Sequence, residues 1–342
     1  MKVLLAGDHF VRVDIMARAL KKELPDAETS ELMNDWPETP MGDIGTVHEA
    51  QGDEDAIIEA LQGVDVMFNH TQPVTPKILE ACPDLKMVSV TRGGPVNVDI
   101  EAATKQGVIV TNAPGRNMTA TAEHSIGMIL AAVRQIPARH DELRRGEWRG
   151  NYYNYDEVGP EVRGSTVGIV GYGNIGRQVA KVMQAMGARI VAFDPFVDPT
   201  SVPEGIEVFD DLDEMLKQTN ILTLHARVSK ENTDLINAER IALMPRGAIL
   251  VNCARPPLLD YDAMCDALES GQLYAAACDV LPSEPLPEDS RLLSVEGLII
   301  TPHLAGASKA SSDFAAAIVA ADIAKFARGE RPDHIMNPEV LG

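Results

Sequence analysis

The stretch Thr166-Val-Gly-Ile-Val170 runs directly into Gly171-Tyr-Gly173-Asn174-Ile175-Gly176. A short apolar run of strand type is followed by three glycines spaced G-x-G-x-x-G, and then by Ile175, Val179, Val182 and Met186 at helical spacing. A second apolar run, Arg189-Ile-Val-Ala-Phe193, ends on Asp194. Strand, tight turn, helix, strand and acid together restrict this region to a βαβ unit of the dinucleotide-binding type. Each glycine has a physical reason. Gly171 permits the tight turn, Gly173 lets the backbone approach a pyrophosphate, and Gly176 lets the helix pack closely on the strand. The helix N-terminus offers free N–H groups to phosphates. Asp194 stands where a carboxylate accepts hydrogen bonds from ribose hydroxyls.

A chain of 342 residues with 45% hydrophobic content is long enough for about two domains, each with its own core. Its formal charge of −21, without a basic stripe, argues against nucleic acid or an anionic membrane surface as partner. An anionic substrate therefore needs a local positive patch. Cys82, Cys253, Cys265 and Cys278 lie in apolar segments without C-x-x-C spacing. They read as buried free thiols, which suits a cytoplasmic location, and no metal site is expected. The N-terminal Met1-Lys-Val-Leu-Leu-Ala-Gly7 is too short an apolar run for a signal peptide and reads as a first strand. No apolar stretch reaches the ~20 residues of a membrane span.

Strand and helix patterns alternate along the chain. Strands are expected at 2–6, 64–68, 86–90 and 108–111, with helices at 11–24, 53–61, 76–82 and 100–106 and a Pro/Gly/Asp-rich loop at 34–46. A long helix at 119–133 has Asn117 or Thr119 as candidate cap. The polar stretch 139–163, with Trp148 and three tyrosines, reads as an arm lying against another surface. Beyond the fingerprint, strands are expected near 220–224, 247–251, 274–278 and 298–301, and helices near 211–218, 260–270 and 309–327. This is an α/β chain with two doubly wound parallel-sheet domains. The glycine fingerprint sits mid-chain, so the simplest layout inserts a Rossmann domain, 118–306, into a second domain formed by 1–117 and 307–342. The ligand cleft is then expected between them, at the carboxyl ends of the strands.

Three segments combine a buried strand end with a reactive side chain. Ile249-Leu-Val-Asn252-Cys253-Ala254-Arg255 ends on a guanidinium, Cys278-Asp279-Val-Leu-Pro-Ser-Glu284 on a carboxylate, and Ile299-Ile-Thr-Pro302-His303-Leu-Ala-Gly306 carries an imidazole. Taken singly, each has a structural reading as a surface ion pair, a loop acid or a satisfied histidine. Together, after a nucleotide fingerprint, they suggest a hydride-transfer site.

Several motifs in order carry a resemblance. They are Val98-Asp99, Gly107-Val-Ile-Val-Thr-Asn112-Ala-Pro-Gly, Ala122-Glu123-His124, the fingerprint, His225, Asn252-Cys-Ala-Arg255, Asp279-Val280, Glu284-Pro285, Thr301-Pro-His303 and Asn337-Pro338. Over almost its whole length the chain resembles the D-isomer-specific 2-hydroxyacid dehydrogenases, which include phosphoglycerate dehydrogenases and glyoxylate/hydroxypyruvate reductases. The resemblance implies a Rossmann NAD-binding domain inserted into a flavodoxin-like substrate domain. It implies Arg255, Glu284 and His303 as the catalytic set. His303 would exchange the hydroxyl proton, Glu284 would orient and favour its protonated form, and Arg255 would hold the substrate carboxylate and carbonyl. Arg92, Gly93 and Gly94 would add carboxylate donors. Cofactor contacts would come from Gly171, Gly173, Asn174, Ile175, Gly176, Asp194, His225, Cys253, Ala254, Asp279 and Gly306. Asn69, His70, Arg116 and His124 are further candidates for the cleft. Trp148 resembles an arm residue that packs at a homodimer interface formed by the NAD-binding domain.

One departure concerns substrate choice. The family usually follows Ala-Arg with glycine, whereas here Pro256-Pro257 follows, which removes N–H groups and drives Arg255 out of the helical region. This argues against a routine phosphoglycerate dehydrogenase. The chain also stops soon after its last helix, leaving no room for an appended regulatory domain. The expected activity is interconversion of a small D-2-hydroxy acid, such as a sugar acid or its phosphate, with its 2-keto acid. Glyoxylate/hydroxypyruvate reduction and phosphoglycerate oxidation are the near alternatives. Formate dehydrogenases on this scaffold resemble a version with glutamine at the position of Glu284. A non-catalytic NAD(H) sensor is the alternative of another class, and NADH oxidation with a panel of 2-keto acids separates it from an enzyme.

Asp194 would repel a 2′-phosphate, and the following Pro195-Phe196 supplies no compensating arginine. NADH should therefore be used with at least about tenfold higher kcat/KM than NADPH, a difference of roughly 1.4 kcal/mol; equal efficiencies in paired initial-rate assays would refute this reading of Asp194.

Overall fold

The first strand, β1 (Lys2–Gly7), forms because Val3, Leu4, Leu5 and Ala6 are all apolar and all become buried, as expected of a strand covered on both faces. The computed structural model describes residues 1–36, 41–155 and 158–341. The chain divides into two compact units, Met1–Asn117 with Ala307–Gly342, and Met118–Gly306.

In the first unit β1 is followed by β2 (Glu28–Met33), β3 (Gly42–Ile44), β4 (Val47–Ala50), β5 (Val66–Asn69), β6 (Met87–Val90) and β7 (Ile109–Thr111). The main sheet has the order β2-β1-β5-β6-β7, all parallel, which is the flavodoxin-like winding. Its order reverses between β1 and β5. One face packs under Ile57, Leu61, Ile78 and Leu79, and the other under Met16, Leu20 and the C-terminal helix Lys309–Ala327.

Two elements here depart from expectation. The strand β2 was not anticipated, because Glu28-Thr-Ser-Glu-Leu-Met33 is an edge strand with an almost wholly exposed face and so lacks an apolar signal. Part of the expected loop at 34–46 is β3, which pairs with β4 in an antiparallel hairpin; residues 37–40 of that loop lie outside the described residues.

The opposite edge, β7, is closed by the C-terminal tail. Asn112 N donates to His334 O, and Met336 N donates to Val110 O. Asn337 is fully buried. Its Oδ1 accepts from Val110 N at 2.8 Å, and its Nδ2 donates to Val108 O at 2.9 Å and Thr104 Oγ1 at 3.0 Å. One side-chain amide thus substitutes for a further strand.

The second unit contains β8 (Thr166–Val170), β9 (Arg189–Phe193), β10 (Ile206–Phe209), β11 (Ile221–Leu224), β12 (Ala248–Asn252), β13 (Leu273–Cys278) and β14 (Leu298–Ile300). They form one parallel sheet in the order β10-β9-β8-β11-β12-β13-β14, a Rossmann winding that reverses between β8 and β11. The short strand β10 and the helix Ala238–Leu243 were not anticipated. The helix after the fingerprint, Asn174–Ala185, buries Gly176, Val179, Ala180 and Met183. The expected Val179 is among them, whereas Val182 and Met186 remain 39% and 37% exposed, and Gly176, where a Cβ would lie 2.3 Å from Gly171 O, makes the close contact. Of the expected arm, 139–163, the first residues belong to the helix Ile136–Arg144 and a 3₁₀ turn follows at Gly150–Tyr153, while residues 156 and 157 lie outside the described residues. All four cysteines are buried and free. No helix among the described residues is long and apolar enough to cross a membrane.

Replacing Asn337 with alanine should leave the Val110 N–H and Val108 carbonyl without partners, costing about 3 kcal/mol. Urea denaturation of N337A against the parent should show this loss, and an unchanged midpoint would mean that the tail does not hold the β7 edge.

Candidate active site at the carboxyl edge of the second sheet

The register of the second sheet aligns its functional candidates. Phe193 pairs with Val170, Val170 with Leu224, Leu224 with Asn252, Asn252 with Cys278, and Cys278 with Ile300. These residues form one row across six parallel strands at their carboxyl ends. The next residues in the chain are Asp194, Gly171, His225, Cys253, Asp279 and Thr301. The catalytic candidates lie slightly further on, at Arg255, Glu284 and His303. Residues scattered over more than a hundred positions of sequence therefore share one edge, where open α/β sheets bind ligands.

The three fingerprint glycines meet different surroundings. At Gly171, with φ of +92°, an added Cβ would lie 2.5 Å from Ala226 N, against the turn that carries His225. At Gly176 it would lie 2.3 Å from Gly171 O. At Gly173 it would meet nothing within 4 Å. Gly171 and Gly176 are thus required by packing within the protein, whereas Gly173 borders open space. Gly173 and Asn174 are exposed, Ile175 is half-buried, and the helix beginning at Asn174 has no side-chain cap at Gly173. Its N–H groups remain for an anion. Asp194 ties the turn together, with Oδ2 accepting from Tyr172 N at 2.8 Å and Oδ1 from Phe196 N at 2.9 Å. A carboxylate has about four acceptor sites, so capacity for ribose hydroxyls remains. An open glycine, an uncapped helix N-terminus and an acid at the next strand end fit a dinucleotide.

His225 is drawn in by its backbone N–H, which donates to Val170 O at 2.7 Å. Its Nε2 lies 3.0 Å from Thr223 Oγ1, and its buried Nδ1 has no hydrogen-bond partner. Burial lowers its pKa to about 4, so it is a neutral imidazole near pH 7. Cys253 is buried, and burial raises its thiol to about 12, which makes it unreactive. Asn252 holds the turn that follows. Its Oδ1 accepts from Ala254 N at 3.0 Å, and its Nδ2 donates to Arg255 O at 3.1 Å. Arg255 is extended, φ −146° and ψ 142°, and exposed, as the following prolines require. Its guanidinium donates to Ala254 O at 2.7 Å.

Asp279, expected among the cofactor contacts, has a side chain turned inward. It is fully buried and holds the histidine loop. Oδ1 accepts from Thr301 Oγ1 at 2.6 Å and Leu304 N at 2.8 Å, and Oδ2 accepts from Ala305 N at 2.8 Å. His124 Nε2 lies 3.3 Å from the same Oδ1 and 3.2 Å from Thr301 Oγ1. Burial alone would raise the carboxyl pKa, but these donors outweigh it and hold it below the usual 3.8. His303 is thereby fixed in the left-handed region, φ +55°, with its N–H donating to Asp279 O at 2.8 Å. For a residue with a Cβ, that conformation persists only when the surroundings over-determine it. His303 Nδ1 meets Glu284 Oε2 at 2.8 Å, and Glu284 Oε1 accepts from Leu281 N at 3.0 Å. The imidazole is about half exposed and its second nitrogen is left for a ligand. Gly306 closes the loop at the end of the second unit.

In the first unit the loop after β6 carries Arg92, Gly93 and Gly94. Arg92 is largely buried, donates to Glu49 O at 2.9 Å and pairs with the Glu49 carboxylate. Gly93 and Gly94 are exposed. Asn69 does not serve as a free donor, because its amide closes the 69–72 turn through Gln72. His70 is buried with Nδ1 2.5 Å from Asp8 Oδ2. Asp8 went unnoticed in the sequence; its only signal is its position immediately after the first strand.

Residues 126–305 match the family described as D-isomer specific 2-hydroxyacid dehydrogenase, NAD binding domain. The chain is 38% identical over 299 residues to D-3-phosphoglycerate dehydrogenase of Methanocaldococcus jannaschii, covering 86% of this chain and 56% of the relative. It is 35% identical over 273 residues to glyoxylate reductase of Thermofilum pendens, covering 79% and 80% respectively. The chain thus spans about half the length of the phosphoglycerate dehydrogenases that it matches. The crystal structure of the TT0316 protein from Thermus thermophilus superposes with a TM-score of 0.79 at 27% identity, covering 98% of this chain and 100% of that one.

The first two glycines of the turn should respond differently to a methyl group. Gly171→Ala should cost about 3 kcal/mol of stability, because both its φ and its contacts exclude a Cβ. Gly173→Ala should fold like the parent and bind NADH more weakly. Thermal melts and NADH fluorescence titration separate the two, and a G173A protein with parental NADH affinity would remove that glycine from the cofactor site.

Proposed function

The chain belongs to the D-isomer specific 2-hydroxyacid dehydrogenase family, and we propose that it is an NAD(H)-dependent oxidoreductase interconverting a small D-2-hydroxy acid and its 2-keto acid. The observation that carries this is the His303–Glu284 pair, held by a strained and buttressed loop on the same strand-end row as the glycine turn. In this reading the unit 118–306 binds the dinucleotide, and the unit 1–117 with 307–342 binds substrate.

Gly173, the exposed N-terminus at Asn174 and Asp194 would hold the dinucleotide, with the His225 and Cys253–Ala254 turns bordering it. The bound nicotinamide supplies a hydride acceptor for oxidation and a hydride donor for reduction. His303 takes the hydroxyl proton at the nitrogen not bonded to Glu284, and returns it in the reverse direction. Glu284 fixes the ring through its contact with Nδ1. Arg255 supplies a planar fork to the carboxylate and carbonyl oxygens. Arg92 and the backbone of Gly93 and Gly94 add donors to the carboxylate. Glyoxylate or hydroxypyruvate reduction and phosphoglycerate oxidation are the specific forms that the relatives' names suggest. The extended Arg255 imposed by Pro256-Pro257 favours a carboxylate placed differently from that of a glycine-following arginine. The side chains of Trp148, Tyr153 and Tyr155, each more than four-fifths exposed, belong to a homodimer contact in this reading. The four buried free thiols suit a cytoplasmic setting.

His303→Ala should lower kcat for keto-acid reduction by about 10³-fold while leaving NADH binding largely intact. Glu284→Gln should lower kcat for reduction by about tenfold or more while leaving NADH binding largely intact, because the carboxylate that holds the ring through Nδ1 is gone. An active His303→Ala enzyme or an unchanged Glu284→Gln turnover would break the respective assignment. Light scattering tests the dimer.

A further inference from the structure

The first sheet has its own reversal point, between β1 and β5, and its carboxyl edge gathers a second set of charges. Asp8 follows β1 directly and His70 follows β5, with Ala6 and Asn69 in register. Arg92 lies just beyond β6, and Arg116 shortly beyond β7. Asp8 is fully used: Oδ1 accepts from Phe10 N and Val11 N, and Oδ2 from Thr71 Oγ1 and the His70 ring. Arg92 is matched by Glu49. Arg116 differs. Its guanidinium carbon lies 5.7 Å from the centre of the Phe10 ring, and its Nη1 is buried without a hydrogen-bond partner. Among the described residues it forms no ion pair. Burial first, and then the nearby charge of Arg92, lowers its pKa to about 10, with Asp8 acting in the opposite sense; it stays charged near neutrality. A cation fixed over an aromatic ring, with an inward N–H lacking an acceptor, is a site prepared for an anion. The charges at this edge are otherwise matched in contact, Arg92 by Glu49 and Asp8 by its four donors, so Arg116 is the cation there without a contacting acid.

We propose that Arg116 receives a second acidic group of the substrate, so that the chain prefers 2-keto acids carrying a further carboxylate or phosphate over singly charged ones. The inference rests on the dehydrogenase reading and names its substrate class. Arg92 serves the 2-carboxylate in that reading, and Arg116 selects by charge and reach. A planar guanidinium with a free N–H discriminates strongly against analogues lacking the acceptor, because it is then left unpaired.

The test compares NADH oxidation with singly charged acids, glyoxylate and pyruvate, and doubly acidic ones, oxaloacetate for a carboxylate and phosphonooxypyruvate for a phosphate. The parent should favour at least one doubly acidic substrate, and the arm that wins identifies the group. Arg116→Gln should lower the ratio of doubly to singly acidic kcat/KM by at least about 30-fold, with Arg116→Lys in between. A parent without preference, or a variant that lowers both classes equally, overturns the proposal. If no keto acid is turned over, the dehydrogenase reading fails by itself, and calorimetry with malonate and inorganic phosphate decides the subsite. Weaker binding to Arg116→Gln than to the parent supports it, and equal or absent binding overturns it.

Discussion

The carboxylate of Asp279 is withdrawn from water at the carboxyl end of β13, between the strand ends that carry Arg255 and His303. An ionised carboxylate in that position is tolerated only if its oxygens are fully hydrogen-bonded, because the desolvation penalty amounts to several kcal/mol. Thr301, His124 and the N–H groups of Leu304 and Ala305 meet that requirement. Satisfying the charge is what shapes the 301–305 loop and holds His303 at positive φ. The sign of its titration follows. A carboxyl held below its ordinary 3.8 contributes stability that is fully present above that value and is lost as pH falls through the folded value. The loop is therefore secure across the neutral range where His303 would exchange protons.

The two sheets apply one structural rule twice. Each reverses its winding once, and in open sheets of this kind ligands bind outside the strand ends at such a reversal. The second sheet fills that position with glycines and an acid suited to a dinucleotide. The first fills it with a buried Asp8–His70 pair and two arginines. The polar groups that stabilise both edges, Asn252 and Asp279 in one and Asp8 and Asn69 in the other, are turned inward to hold loops. That leaves Arg255, His303, Arg92 and Arg116 as the groups with donors to spare.

Much of this was legible because parallel strands buried on both faces are continuous apolar runs, and the helices between them keep a period near 3.6. The elements that escaped notice are those to which neither rule applies. β2 is exposed and polar, β10 is short and half-buried, and the β3–β4 hairpin lies in a Pro/Gly-rich segment. On the fingerprint helix the expected Val179 is fully buried and Ile175 half-buried, but the small Gly176 and Ala180 complete the buried face with Met183, while Val182 and Met186 stay partly exposed. Among the candidate site residues, Arg255, Glu284 and His303 are readable as residues that follow strand ends. Asp8 was not, since a lone acid after a strand has no pattern of its own.

By itself the amino-acid sequence determined that this is an alternating α/β chain with a dinucleotide turn at Gly171–Gly176, and that an acid at Asp194 follows the next strand. Those features are local: they depend on spacing, on the missing Cβ of glycine and on hydrophobic period. Only the tertiary structure decided that the Asp279 side chain holds the 301–305 loop, that Asn69 is spent in a turn, that Asp8 and His70 are partners, and that Arg116 is left without one. Those outcomes depend on which buried groups find acceptors and donors across many residues of chain, and strand register, not residue spacing, determines that.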